Sequence, residues 1–296
     1  MDKMNWQAEV IQLIEIYFKG VGIRYNSKND IHMCLIDFMN LKMKLIKPVP
    51  RIILKSDKLK SKSIPLKYIR ALGYIENKIR IGKDITFHQS KKILDPSYND
   101  LLLNDWIIQH IHLSDTKTQK GQKFYDRSKY LLFAAFNSNH AFFIDIREHD
   151  EQNVFAKREF LEIMNNNWPQ VMKIYLEGDT IPFVNNYSDS EIDSLRRKGF
   201  TLGTTEINGK IFRNPGIGIT KSGHNLHVIK RANEVVRYLH ETMEEIENSE
   251  EDIKNDLSEE IGFLINDLEL CLHLSDQWPF FSVYEMNSKI YISKKY

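Results

Sequence analysis

The sequence predicts an α+β fold, in which a central antiparallel sheet with packed helices lies between helical N-terminal and C-terminal parts. Apolar residues recur at helical spacing before residue 81 and again after residue 226. Between these regions, three short apolar runs have the length of strands and are separated by turn-forming residues. The predicted parts are residues 1–100, basic and mainly helical, residues 101–175, the sheet, and residues 176–296, acidic and mainly helical.

Three helices are predicted in the N-terminal part. Gly20 and Gly22 end the first helix, and Pro48 follows the second, as glycine and proline commonly do at helix ends. The predicted elements are helices Trp6–Phe18, Asn29–Ile46 and Pro65–Ile81, with a short strand at Pro48–Ile53.

Three antiparallel strands are predicted in the central part, at Ile108–Leu113, Tyr130–Phe136 and Ala141–Ile146. Asn137–His140 has the composition of a hairpin loop. Alternate side chains of a strand share a face, so His110 and His112 are expected to project together. The sequence therefore predicts a three-stranded meander with histidines at its rim.

The C-terminal part is predicted to be helical and to end in a hairpin. The glycine-rich segment Asn214–His224 lacks the spacing of a phosphate-binding loop, so we interpret it as a turn that packs its backbone closely. A nucleotide cradle that uses Lys221 and Ser222 is the alternative. A helix is predicted at Glu151–Asn167, at the end of the central part. The predicted elements of the C-terminal part are helices Asp189–Arg197 and Leu226–Ile246, strand Lys210–Phe212, a helix pair containing the acidic tract Glu241–Glu260, whose apolar period continues to Leu268, and a hairpin of Trp278–Tyr284 with Met286–Ile292.

Composition limits the class of protein. Hydrophobic residues make up 42% and charged residues 27% of the chain, which is typical of a globular domain. No run approaches the ~18 apolar residues of a membrane span, and the first residues do not resemble a signal peptide. A cytoplasmic protein without membrane contact is therefore expected. Cys34 and Cys271, far apart and in apolar segments, are predicted to be buried reduced thiols.

Charge is divided unevenly along the chain. Residues 1–130 hold 24 Lys plus Arg against 13 Asp plus Glu, a net +11, and the remaining residues hold 17 against 27, a net −10. Residues 42–92 are the most basic, with 15 Lys plus Arg against three acids. This stretch is either a solvated face or a surface that binds phosphates. The predicted nucleic-acid contacts are Lys55, Lys58, Lys60, Lys62, Lys67 and Arg70.

The rim histidines support two kinds of chemistry, unless they are ordinary core or strand-end residues. His110, His112 and His149 could bind zinc, with a fourth position left for water. Without a metal, they could act as acid and base on a ribose 2′-hydroxyl, with Arg127 and Lys129 stabilising charge at phosphorus. The neighbouring cations favour the second alternative, because a metal ion would repel them. We therefore predict a catalytic group of these five residues, with no cofactor, and zinc as the runner-up.

The segment DRSKYLLFAAFNSNHAFFIDIREH resembles the C-terminal strands of RelE/HigB-type toxins. The resemblance implies mRNA cleavage without metal, with Arg127 as the phosphate-binding arginine and His149 as the terminal acid or base. SYNDLLLNDWIIQHIHLS and LEIMNNNWPQ resemble segments of uncharacterised bacterial proteins with a D-W…H-x-H-L signature. This chain departs from small toxins in its length, its H-x-H and its acidic second half, which suggests an effector with built-in control.

The main functional hypothesis is a metal-independent endoribonuclease of a bacterial toxin or antiviral defence system. The alternative is a component of such a system that binds nucleic acid or protein without enzymatic activity. A nucleotide enzyme that uses Pro215–Gly223 is a third hypothesis. RNA or another nucleic acid is the expected partner, and a regulatory protein is a further one. The opposite charges of the two halves predict a salt-sensitive homodimer, in which the acidic helices after Glu241 imitate phosphate.

Overall fold

The computed structural model describes residues 5–27, 30–176, 187–220 and 223–292. The chain divides into two compact units. We call Asn40–His227 the contiguous unit, and Met1–Met39 together with Val228–Tyr296 the two-segment unit. The parts predicted from the sequence, with boundaries at residues 100 and 175, were defined by composition and charge. The two units are defined by compactness, so the two divisions describe different properties of the chain.

Helices and strands alternate with long irregular segments, and the predicted α+β class is confirmed. The α-helices of the described residues are α1 (Trp6–Gly20), α2 (Ile31–Lys44), α3 (Asp57–Lys60), α4 (Leu66–Arg80), α5 (Leu101–Trp106), α6 (Glu159–Asn167), α7 (Pro169–Met172), α8 (Asp189–Arg197), α9 (Leu226–Asn248) and α10 (Glu250–Ile261). The strands of the same residues are β1 (Ile52–Lys55), β2 (Gln109–His112), β3 (Tyr130–Phe136), β4 (His140–Glu148), β5 (Thr204–Ile207), β6 (Lys210–Arg213), β7 (Leu270–Leu274), β8 (Phe281–Glu285) and β9 (Ile290–Ile292).

The central sheet of the contiguous unit has the strand order β1-β4-β3-β2. β2, β3 and β4 form the predicted antiparallel meander. β1 pairs in parallel with β4, so the sheet is mixed and not purely antiparallel. A parallel pair needs a long crossover, and the chain between β1 and β4, which includes α4, provides one.

Helices cover both faces of this sheet, whereas the sequence predicted them on one face only. Leu132 and Ala134 of β3 join a core with α4, and Leu131 and Phe133 join another core with α5 and α6. β3 is apolar at every position from Leu131 to Ala135, as expected of a strand buried on both sides. The one-face prediction was wrong because β3 is apolar on both of its faces, so α4 packs against one face of the sheet and α6 against the other.

Several predicted boundaries also need correction. The helix predicted at Glu151–Asn167 begins only at Glu159, because Asn153 has a left-handed φ of 54° and a short 3₁₀ turn follows it. α10 ends at Ile261 before Gly262, so the apolar period does not continue to Leu268. The sequence did not predict α3, α5, β5 or β7.

The glycine-rich segment packs its backbone closely, as predicted, and the element it packs against is the end of α5, which the sequence did not predict. The amides of Gly216 and Gly218 donate to the carbonyls of Asp105 and Asn104, over 2.8 and 3.1 Å. A Cβ atom at Gly216 would lie 1.9 Å from the Asn104 carbonyl oxygen. The segment therefore satisfies carbonyls that the helix end would leave unpaired. Lys221 and Ser222, the residues of the alternative nucleotide cradle, lie outside the described residues.

The two-segment unit combines helices with the antiparallel sheet β7-β8-β9. The amide of Leu272 donates to the Glu9 carboxylate over 2.8 Å, which ties β7 to α1. Both cysteines are free, Cys34 buried and Cys271 only half-buried, and burial raises the pKa of each thiol. Within the described ranges, no helix is both long enough and apolar enough to cross a membrane.

Candidate functional site

The sheet topology brings the ends of β2 and β4 to one edge. Both strands run antiparallel to β3, so they share a direction and end on the same side. His112 is the last residue of β2, and His149 immediately follows β4. Their rings lie nearly parallel, at 16°, with centroids 6.0 Å apart. Two of the three predicted rim histidines therefore meet.

His110 points to the same face as His112 but belongs to a second pair. Its Nδ1 lies 3.3 Å from a carboxylate oxygen of Asp100, and its side chain is 13% exposed. Asp100 also caps α5, accepting from the amides of Leu102 and Leu103 at 3.1 Å each. Burial raises the pKa of Asp100, but His110 and the two amides outweigh it, so the pKa is lowered. His110 is thus fixed to the start of a helix.

Phe155 forms a wall of the site that sequence reasoning missed. Its ring contacts His110 edge-on at 5.1 Å and His149 edge-on at 6.0 Å, measured between centroids. It also packs on Phe133 of the sheet. The sequence predicted a helix here, and the spacing of the apolar residues gave no indication that a 3₁₀ turn would aim this ring at the histidines.

His112 is a buried, neutral imidazole. Burial lowers its pKa to about 4, and positive charge on His110, His149 and Arg127 lowers it in the same direction. Its Nδ1 accepts a long hydrogen bond of 3.4 Å from the Ser128 amide. This contact favours the neutral tautomer that carries its proton on Nε2. At neutral pH, His112 is therefore suited to donate a hydrogen bond through Nε2.

The two predicted cations of the site have different surroundings. Arg127 is exposed, its charge acts on His112, and no carboxylate of the described residues lies within 4.0 Å of its guanidinium. The Lys129 ammonium is paired with Glu148 at 2.9 Å, and the Tyr130 hydroxyl donates to the same carboxylate. The Lys129 carbonyl accepts from the His149 amide at 2.7 Å. Lys129 therefore positions His149 through its backbone, while its charge is compensated.

A buried charge network fixes the end of β4. Asp145, fully buried, contacts Lys62 at 2.8 Å and Arg147 at 2.6 Å. Arg147 also contacts Glu159, at the start of α6. In the register of the sheet, Leu131 lies between His112 and Arg147. The network thus holds the strand that carries His149.

Most of the predicted nucleic-acid contacts have carboxylate partners. Lys67 and Arg70 are exposed on α4, and no carboxylate within the described part of the chain is 4.0 Å or closer to either. Exposed positive charge is therefore smaller on this surface than composition predicted. The ion pairs are Lys55 with Glu76 at 2.6 Å, Lys58 with Glu159, Lys60 with Asp57 at 2.9 Å and Lys62 with Asp145 at 2.8 Å.

The zinc alternative has no preformed ligand group among the residues that the structure describes. No three or more His, Cys, Asp or Glu side chains of this part of the chain are arranged to hold a metal ion. His110, His112 and His149 share the edge of the sheet, but they do not form such a group.

Comparisons with protein-family models, curated proteins and solved structures give no match to this chain.

Proposed function

We propose that this chain is a metal-independent endoribonuclease whose active site contains His149, His112 and Arg127. The observation that carries the proposal is the nearly parallel pair of imidazole rings of His112 and His149, whose centroids are 6.0 Å apart. The positive charge of Arg127 acts on the same pair by lowering the pKa of His112. Histidine is the side chain best suited to proton transfer near neutral pH, and arginine binds phosphate strongly. Cleavage of RNA by its own 2′-hydroxyl needs both proton transfer and a group that binds the phosphate.

In the proposed reaction, the exposed His149 accepts the proton of a ribose 2′-hydroxyl. The oxygen attacks the adjacent phosphorus and the bond to the 5′-oxygen breaks, which yields a 2′,3′-cyclic phosphate and a 5′-hydroxyl end. A solvent water protonates the leaving oxygen. Arg127 stabilises the negative charge that grows on the phosphoryl oxygens, and His112 donates a hydrogen bond from Nε2.

His110 and Lys129 act as positioning residues in this proposal. His110, whose Nδ1 lies beside the Asp100 carboxylate, contacts the Phe155 ring edge-on and so supports this wall of the site. Arg127 and His149 are also the residues that the RelE/HigB resemblance implies. We therefore propose a role as a toxin or antiviral effector that acts on RNA in the cytoplasm.

The test is incubation of single-stranded RNA with purified protein, with and without EDTA, and identification of the product ends. We expect cleavage in EDTA and cyclic phosphate ends. His149→Ala should reduce the rate by about 10²–10⁴-fold, the usual contribution of a general base. His240→Ala is the matched control, because His240 is exposed on α9, and it should cleave normally. Loss of cleavage in EDTA, or a fully active His149→Ala protein, would contradict the proposal.

A non-enzymatic role in binding nucleic acid or protein is the second candidate. The exposed cations Arg127, Lys67 and Arg70 favour it. Salt-dependent RNA binding without cleavage under any condition would support this alternative.

A further inference from the structure

The connection between β2 and β3 carries a second group of polar side chains, away from the histidine pair. The Tyr125 ring stacks on His88, with centroids 3.7 Å apart and planes 12° apart. Its hydroxyl lies 2.8 Å from the hydroxyl of Tyr74, on α4. The Tyr125 amide donates to the Phe87 carbonyl, which fixes the backbone of the connection. A phenol pair is thus held between the connection and α4.

Two lysine ammonium groups converge on this phenol. The Nζ of Lys78 lies 4.9 Å from the centroid of the Tyr125 ring and 3.4 Å from its hydroxyl. The Nζ of Lys117 lies 4.6 Å from the same centroid. Burial lowers the pKa of Lys78, Tyr74 and Asp84 act to raise it, and the charge of Lys117 lowers it by a smaller amount. The two cations therefore repel each other over one ring.

Lys78 and Lys117 differ from two other lysines of the N-terminal half in having no carboxylate partner among the described residues. Lys55 and Lys62 each contact a buried carboxylate at 2.6 and 2.8 Å. Among the residues that the structure describes, no carboxylate lies within 4.0 Å of Lys78 or Lys117. Cation–π attraction to the Tyr125 ring explains why one ammonium group lies there. It does not explain the second ammonium group, because the first one repels it. An anion bound between the two ammonium groups would remove that repulsion.

We propose that Lys78, Lys117 and the hydroxyls of Tyr74 and Tyr125 bind a phosphodiester of single-stranded RNA. Ammonium and phenol groups are hydrogen-bond donors to phosphate oxygens. The Tyr74 side chain is 40% exposed and offers a ring on which an adjacent base stacks. This combination of cations with an accessible aromatic ring matches a single strand better than free phosphate. The inference rests on the proposed function for the choice of RNA.

The position of the group suits a substrate that also reaches the histidines. Arg127 follows Tyr125 by two residues, which limits the separation of their Cα atoms to about 7 Å. One short oligonucleotide can therefore contact both groups. The sequence signal for this site is Lys117, followed within the same connection by the neighbouring aromatic residues Phe124 and Tyr125.

Binding is measured with a fluorescent 2′-O-methyl uridine hexamer, which the proposed reaction cannot cleave. Anisotropy titrations at several salt concentrations compare wild type with Lys78→Gln, Lys117→Gln and Tyr74→Ala. We expect each variant to bind about tenfold more weakly, and each lysine variant to lower the slope of log K against log salt by about 0.7. Lys120→Gln, in the same exposed connection, is the control and should bind like wild type.

The results separate this inference from the proposed function. Unchanged binding by Lys117→Gln and Lys78→Gln would overturn the inference, even if wild type cleaves RNA. Normal binding by His149→Ala, together with weak binding by Lys117→Gln, would support it even if wild type cleaves nothing. Thermal shifts with inorganic phosphate form a third arm. Loss of phosphate stabilisation in both lysine variants, with RNA binding unchanged, would assign the site to free phosphate and contradict the RNA proposal.

Discussion

His88 and His112 are buried imidazoles that the fold keeps neutral. Burial is the main reason that the pKa of His88 falls to about 3 and that of His112 to about 4. An unfolded chain returns both values to about 6.5. As pH falls below that value, the unfolded chain binds protons that the folded chain does not, and the free energy of unfolding decreases until the folded pKa is reached.

The first prediction follows from that difference. Between pH 7 and pH 4, the free energy of unfolding should decrease by roughly 3 kcal/mol for each histidine, at one pKa unit per 1.36 kcal/mol. Urea unfolding at pH 7.0, 5.5 and 4.0 measures the decrease. His88→Phe keeps a ring beside Tyr125 but cannot titrate, so its stability should depend less on pH. An equal pH dependence in wild type and His88→Phe would contradict the argument.

Asp105 and Arg196 form a buried ion pair beside the site. The charged atoms lie 2.5 Å apart, and the two side chains are 1% and 3% exposed. Arg196 also stacks on Trp106 and donates to the carbonyl of Phe155. Burial raises the pKa of Asp105, although Arg196 opposes this effect. Removing either partner leaves an uncompensated charge in the core.

We expect Asp105→Ala to lower the free energy of unfolding by about 3–5 kcal/mol. The double variant Asp105→Leu/Arg196→Met should be more stable than Asp105→Ala, because no unpaired charge remains. Chemical unfolding of Asp105→Leu, Arg196→Met and the double variant gives the coupling energy between the two side chains. Additive effects would mean that the two groups do not stabilise each other.

At the scale of elements, Gly216 joins the glycine-rich segment to the end of α5. Gly216→Ala places a methyl group against the Asn104 carbonyl, and backbone atoms cannot move aside easily. We expect a loss of about 2 kcal/mol or more, as for other overpacked sites. Gly203→Ala is the matched control, because a Cβ there meets nothing within 4 Å. A melting temperature of Gly216→Ala equal to that of Gly203→Ala would contradict the close packing.

Local sequence signals predicted the elements that depend on local periodicity. α1, α4, α8 and the strand Tyr130–Phe136 lie at or within two residues of their predicted bounds. Elements without a strong period, such as α3 and α5, were missed. The start of α6 was misplaced because a left-handed residue interrupts an otherwise helical composition.

The candidate site was predictable where it depends on strand direction. His112 and His149 meet because β2 and β4 end at one edge, and the predicted meander contains that information. The partners of charged residues were not predictable, since Lys62 and Asp145 are 83 positions apart in sequence. The convergence of Lys78 and Lys117 on Tyr125 also joins distant segments.

At the scale of the whole molecule, the charge division still predicts a salt-sensitive dimer. Residues 1–130 carry a net +11 and the rest a net −10, so contacts between copies should weaken as salt rises. Sedimentation velocity at 50 and 500 mM salt should show dissociation at the higher concentration. Glu259→Lys/Glu260→Lys, exposed on α10, should weaken the dimer at low salt. A monomer under every condition would end the proposal.

The two-segment unit has a consequence for the order of folding during synthesis. Glu9 must wait for Leu272, 263 positions later, before its hydrogen bond can form. The contiguous unit ends at His227, so all of its residues are synthesised 45 positions before Leu272. Closing so long a loop is entropically costly and slow. The growing chain therefore carries α1 with an exposed apolar stripe for most of its translation, and a chaperone that shields this helix would raise the yield of folded protein.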